Sequence, residues 1–343
     1  MVISCSDDNN LSPSDKNNEF KQVNLVSDTN KFHPRHIDTN LVNAWGITTG
    51  NRCTEIFIAA NHTGKVVVYD NDGNLKSNPI IIPGRDSGTI GSPTGLAYDT
   101  TASFIIPCVN KASRLIAASE DGIITAWSSG DSAVIVATGD KDAVYKGIAL
   151  VTDAGSPFIC AANFKQQKIE VFDGNFIKIN GKPFVDNQIP TDFGPFNIQE
   201  IKGLLYVTYA KRAPPDFMDD EPGAGNGFVD VFTTDGAFIK RFASQGTLNS
   251  PWGIVKAPKH FDSFSNAILI GNFGDGRVNA FDESGKFLGQ LEIENGTAVE
   301  IDGLWSLYFL TRDVFSSVEK KQLYFTAGPD AENHGLFGYL KVE

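Results

Sequence analysis

A step of the form bulky residue, glycine, apolar run recurs along this chain at a nearly constant interval, and nothing else in the sequence restricts the fold as much. It reads NAWGI at 43–47, SPTGLAY at 92–98, YKGIALV at 145–151, PFNIQEI at 195–201, SPWGIVK at 250–256 and GLWSLYF at 303–309. With Trp45, Thr94, Lys146, Phe196, Trp252 and Trp305 aligned, the successive gaps are 49, 52, 50, 56 and 53 residues. A second element keeps the same phase: a turn, then alternating apolar residues ending in an aromatic, as in HTGKVVVYD (62–70), EDGIITAWS (120–128) and GDGRVNAFD (274–282). Between the two lies another short apolar run, such as EIFIAAN (55–61) or AILIGNF (267–273), and a fourth follows the aromatic, as in AFIKRFA (237–243).

Each unit of about fifty residues therefore holds four short strands separated by Gly, Asn and Asp turns, a β-meander. One such unit buries too little surface to stand alone and must stack on its neighbours. Four-stranded units repeated radially make a β-propeller, and six phased copies predict an all-β, six-bladed ring. Thirty-three glycines and 25 phenylalanines agree with many turns and many half-buried pleated surfaces. The glycines of the repeat, Gly46, Gly95, Gly147 and Gly253, are expected where innermost strands crowd around the channel. Asn197 and Ser306 stand in their place in blades 4 and 6, which makes those blades irregular. The tryptophans are read as packing between blades.

The sixth unit runs out of chain after three strands, at about 304–310, 322–328 and 335–342. Ahead of the first blade, FKQVNLVSD (20–28) is a strand without a sheet. The expectation is that it completes the last blade, which closes the ring and removes an exposed edge. Residues 20–343 are thus read as one propeller domain and 1–19, polar and aperiodic, as a disordered tether. Within that tether, VISC followed by SDDN is similar to the end of a bacterial lipoprotein signal, with Cys5 as the lipidation candidate; no basic or full apolar segment precedes it. Cys108 and Cys160, in apolar surroundings, are expected to be buried thiols. Two N-x-S/T sequons begin at Asn61 and Asn295.

Function is less legible. A formal charge of −12 repels phosphate backbones, so nucleic acid is not an expected partner, and no apolar run is long enough to span a bilayer. Contact with a membrane would come only through an N-terminal lipid. No zinc spacing, nucleophile elbow or phosphate loop occurs. Propellers bind ligands at the channel mouth, and the residues flanking the inner strands there are Asn43, Ser92, Lys146, Asn197, Asn249 and Asp302. Four of them, Asn43, Asn197, Asn249 and Asp302, loosely resemble the set with which some propeller lactonases hold Ca²⁺, although the glutamate of that set is missing. The longest insert, KRAPPDFMDDEPGAGNG (211–227), brings Asp216, Asp219, Asp220 and Glu221 into one loop. It is read as a solvated acidic loop on the face where specificity loops sit.

The strings NLVNAWGI, FGPFNIQEI, LNSPWGIVKAP, LIGNFGDGRVNAFD and IDGLWSLYF together resemble an uncharacterised, mostly bacterial family of NHL-like six-bladed propellers, commonly secreted or surface-anchored. The resemblance runs from about residue 21 to the end of the chain. It implies an extracytoplasmic propeller and brings no catalytic residues with it. The leading expectation is a monomeric binding scaffold, without a cofactor, whose partner is a protein, peptide or glycan at the channel mouth. The alternative is a metal-dependent hydrolase of the lactonase or esterase kind using Ca²⁺ in the channel. A purely structural envelope component is a third.

Overall fold

Six small sheets stand side by side in a ring, as the repeat predicts. The computed structural model describes residues 19–50, 55–310 and 321–342. Nearly all of the tether, with Cys5, lies outside them, as does Cys53. The innermost strands are Ala44–Thr49, Pro93–Tyr98, Tyr145–Asp153, Phe193–Ile201, Pro251–Lys256 and Leu304–Phe309. Each contacts the innermost strand of the next blade, and the sixth contacts the first.

Within a blade the strands pair antiparallel in sequence order from the inside outward, except in blade 6. There the order from the inside is Leu304–Phe309, Leu323–Ala327, Leu336–Val342, and then Phe20–Ser27 from the other end of the chain. Phe20 pairs with Val342 and Ser27 with Leu336, with one bulge between Asn24 and Val26. His36–Ile37 adds a short parallel fifth strand. The expected closure of the ring by the N-terminal strand is thus observed. Asp28 reinforces it by accepting from Gly335 N at 2.9 Å and meeting His334 Nδ1 at 2.8 Å.

Alternation along each strand sends side chains to both faces of its sheet. The core is accordingly divided into six apolar clusters, one for each pair of neighbouring blades; the cluster between blades 1 and 2 runs on into the axis. The repeat glycines do what their position suggests. A Cβ on Gly46 would collide with the Thr94 carbonyl; on Gly95 it would lie 2.7 Å from Ile148 N, and on Gly253 2.7 Å from Trp305 O. Each of these contacts belongs to the next blade.

Where glycine is absent, a hydrogen bond replaces close contact. Asn197 Nδ2 donates to Trp252 O at 2.9 Å, and Ser306 Oγ donates to Trp45 O at 2.8 Å. Blades 4 and 6 are therefore fastened to their successors by side chains rather than left irregular.

Two expectations need correction. Cys160 is buried, but Cys108 is exposed. It sits in the turn of a small hairpin (Ile105–Ile106 with Lys111–Ala112) inserted into blade 2, so its apolar neighbours mark a protrusion and not a core strand. The tryptophans also do more than pack between adjacent blades. Trp45, Trp252 and Trp305 come from blades 1, 5 and 6 and meet on the axis.

Candidate functional site

The axis is closed by an aromatic plug. Trp305 lies 3.9 Å from Trp45, 5.9 Å from Trp252, 5.8 Å from Phe196 and 3.9 Å from Phe273, centroid to centroid. The cavities on the two sides of the plug share no lining residue. At the end where the inner strands begin, a cavity of about 590 Å³ opens. His62 from blade 1, Ser92 and Glu120 from blade 2, Lys165 from blade 3, Asp219 from the blade 4 insert and Glu332 from blade 6 all line it.

Lys146 occupies the inner-strand position that is tryptophan or phenylalanine in four other blades. Its side chain is 3% exposed, and Nζ lies 2.5 Å from Glu120 Oε1 and 3.1 Å from Asp219 Oδ1. The same ammonium sits 5.0 Å from the Trp45 ring centroid, within cation–π range. Burial alone would discharge it, but Glu120 and Asp219 outweigh that and hold Lys146 above the ordinary lysine range. Glu120 is itself fixed, because Asn61 Nδ2 donates to its Oε2 at 2.9 Å. Asn61 is only 2% exposed, so its amide serves as a structural donor and offers no free acceptor site for a glycan.

Asn43 organises the other wall. Its backbone is left-handed, at φ 51°, and its side chain is fully buried. The Trp305 indole N–H, which can only donate, bonds Asn43 Oδ1 at 2.9 Å. That contact fixes the amide, and Nδ2 must face the other way, where it donates to Glu332 Oε2 at 2.5 Å and meets His62 Nε2 at 3.4 Å. Glu332 follows Asp330 and Ala331, and all three have positive φ, at 63°, 54° and 64°. A run of three non-glycine residues in that region is unusual and costs about 1 kcal/mol or more per residue. Burial pushes the Glu332 carboxyl up from 4.5 to about 7; Glu120 and Asp219 add to the shift, while Lys146 and the Asn43 hydrogen bond oppose it.

The six residues read from the sequence fall into three groups. Asn43, Ser92 and Lys146 are near the mouth: Ser92 lines the cavity, Lys146 is buried behind it and pairs with the lining residues Glu120 and Asp219, and Asn43 holds Glu332 in its wall. Asn197 lies on the other side of the plug, in a narrow cleft with Gly46, Gly95 and Ser306, and its amide is used by Trp252 O and Ile198 N. Asn249 and Asp302 hold loops in place: Asn249 Oδ1 accepts from Gly223 N at 2.6 Å, and Asp302 Oδ2 accepts from Asp330 N at 2.7 Å. Three of the four metal candidates already use a side-chain oxygen on backbone N–H groups: Asn197 Oδ1 accepts from Ile198 N, Asn249 Oδ1 from Gly223 N and Asp302 Oδ2 from Asp330 N. The only Asn43 side-chain atom able to ligate a cation already accepts the indole N–H. Among the described residues no group of three or more His, Cys, Asp or Glu side chains is placed to hold a metal ion.

Glu120, Asp219 and Glu332 escape a reading confined to the residues that precede inner strands. In an antiparallel blade the second strand ends where the inner strand begins; Ser119, for instance, pairs with Pro93. The polar residues that close the second apolar runs, Asn61 and Glu120 among them, were therefore the available signal. The acidic insert is only partly solvated: Asp219 pairs with the buried Lys146, and burial raises the Asp220 carboxyl above its usual range.

Comparison with solved structures agrees with the architecture. Virginiamycin B lyase from Staphylococcus aureus superposes with a TM-score of 0.56 at 10% identity, covering 95% of this chain and 99% of that one. A catalytically inactive variant of the same lyase, with quinupristin, gives 0.55 at 11% over the same shares of the two chains. At such identity the likeness concerns the fold alone. No family model matches the chain. Two proteins of Acanthamoeba polyphaga mimivirus do match over most of their length: uncharacterized protein L690, 33% identical over 334 residues (93% of this chain, 85% of that one), and uncharacterized protein R648, 33% identical over 334 residues (93% and 80%). These relatives are viral, which does not support the expectation of a mostly bacterial family. With a third of the residues shared across nearly the whole propeller, the chain belongs to the same family as the mimivirus proteins L690 and R648.

Proposed function

We infer that the protein is a glycan-binding propeller whose ligand sits in the mouth cavity above the aromatic plug. The observation that carries this reading is the cavity itself: about 590 Å³, within the size range of small-ligand pockets, with walls that are mostly ionisable side chains. A polyhydroxylated ligand needs many acceptors and donors at short range. Glu120 and Asp219 supply acceptors for vicinal hydroxyls, and Lys165, Ser92 and the protonated Glu332 carboxyl supply donors. The surplus of carboxylates disfavours phosphate and other anionic ligands. An extended peptide would need an open strand edge or an apolar groove, and this cavity offers neither.

Titration calorimetry against a panel of neutral oligosaccharides tests the reading. Saturable binding is expected, weakened about tenfold or more by Asp219→Ala, which removes one charged hydrogen-bonding partner. Equal affinity in the variant, or no heat with any oligosaccharide, would contradict it.

A further inference from the structure

The hydrogen-bond chain from Trp305 through Asn43 to Glu332 does more than shape a wall. Because the indole can only donate, Asn43 must present its Nδ2 to Glu332 Oε2. Oε2 is thereby committed as an acceptor, so a proton carried by Glu332 has to reside on Oε1. No other described residue bonds Oε1, and the residue lines the cavity. Across the same cavity Asp219 presents a carboxylate of opposite character. It is 76% exposed, and one oxygen rests on the Lys146 ammonium at 3.1 Å. Glu120 and the buried Lys146 also act on Glu332, and His62 lies beyond Asn43; Asp121, Lys141, Asp142 and Lys165 complete the ionisable lining of the cavity, and Asp330, on the loop of Glu332 itself, is paired with Lys31 at 2.8 Å.

One cavity thus holds two carboxyl groups in unlike settings, one enclosed and hydrogen-bonded to a neutral amide, the other exposed and beside a cation. That is the division of labour needed to split an acetal. We propose that the mouth hydrolyses a glycosidic bond, with Glu332 as general acid, Asp219 as the base that activates water, and Asn43 as the residue that positions Glu332.

In the step, the bond from the anomeric carbon to the leaving oxygen breaks while Glu332 Oε1 gives its proton to that oxygen. A water molecule loses a proton to the Asp219 carboxylate and bonds to the anomeric carbon. One water is consumed and two sugar hydroxyls appear; the proton on Asp219 returns to Glu332 through solvent. The near-neutral carboxyl of Glu332 suits a donor working around pH 7. The left-handed run 330–332 supplies rigidity, since a backbone held in that region persists only when its surroundings over-determine it.

This activity rests on the reading of the mouth as a glycan site, and the experiment separates the two. The full chain is incubated with unactivated oligosaccharides, followed by reducing-end release, and in parallel with p-nitrophenyl glycosides, whose leaving group needs no protonation. Hydrolysis of both is expected. Glu332→Gln should lower kcat on the unactivated substrates by about 10²-fold or more while sparing the p-nitrophenyl glycosides, and Asp219→Asn should lower both. Asn43→Gly tolerates the left-handed backbone and removes the donor that stabilises ionised Glu332. It should therefore move the alkaline limb of the pH–rate profile upward, which a merely structural role would not do. Oligosaccharide binding without hydrolysis of any substrate would overturn the activity and leave the binding site standing. Hydrolysis indifferent to Glu332→Gln would overturn the assignment of the acid. Neither binding nor hydrolysis would overturn both readings.

Discussion

Glu332 carries a largely buried carboxyl on a strained turn, and the consequence for stability has a definite sign. Its proton is bound more tightly in the folded protein, at about 7, than at the ordinary 4.5. The stabilisation is complete below pH 4.5 and is lost as the pH rises to about 7, amounting to up to about 3 kcal/mol. Glu332→Gln stays neutral throughout. Its melting temperature relative to the wild type should therefore rise across that window and level off above it, as scanning calorimetry at several pH values would show; a constant difference would rule out the shift. Sequence reading could not anticipate this residue. DAENHG looks like an ordinary polar turn, and only the fold reveals that Asn43, 289 positions earlier, holds its side chain. Lys146 was legible for the opposite reason: a cation at a position that is a large aromatic in four of the other five blades stands out in the aligned repeats.

At the scale of the strand, spacing carried most of the information. Apolar alternation, turn residues and a constant repeat length locate all six inner strands, because these signals are local and each blade restates them. The bulky–glycine step has a cause in the contact between neighbouring inner strands, and that cause can be tested. Gly253→Ala places a methyl group 2.7 Å from Trp305 O and 3.1 Å from Leu307 Cγ, between two strands that cannot separate without opening the ring. It should cost about 3 kcal/mol in urea unfolding, near the upper end for overpacking. Asn197→Gly, which removes the hydrogen bonds to Trp252 O and from Ile198 N but restores the residue used in other blades, should cost less, about 1–2 kcal/mol. Equal losses would mean that close approach is not what the repeat glycines provide. What the repeat could not convey was which side chains bridge blades 4 and 6 to their successors, since Asn197 and Ser306 look like departures from the pattern until the backbone atoms they reach are known.

In the whole molecule, closure and function share one blade. Phe20–Ser27 joins the two ends of the chain in blade 6, and the loop that follows the second strand of that blade carries Glu332. Removing residues up to Asp28 takes away the buried side chains of Phe20, Leu25 and Val26, worth about 5 kcal/mol together, and leaves Leu336–Val342 as an open edge. The truncated chain should melt well below the full one and self-associate on gel filtration. Retention of the full melting temperature would show that the ring does not depend on that strand. The expectation of an N-terminal strand in the last blade came from counting strands, a global constraint that needs no side-chain detail. The channel plug was not foreseeable in the same way, because three tryptophans on three blades meet only once the ring has closed.

The mouth faces one end of the plugged axis, and the other end offers a separate cavity of about 310 Å³ beside Gln199, Lys202, Lys256 and Tyr308. A crystal structure of the protein soaked with the tightest-binding oligosaccharide decides between them. The account predicts density in the mouth, within hydrogen-bonding distance of Asp219 and Glu332. Density at the opposite end, or along an outer strand with the mouth empty, would contradict it.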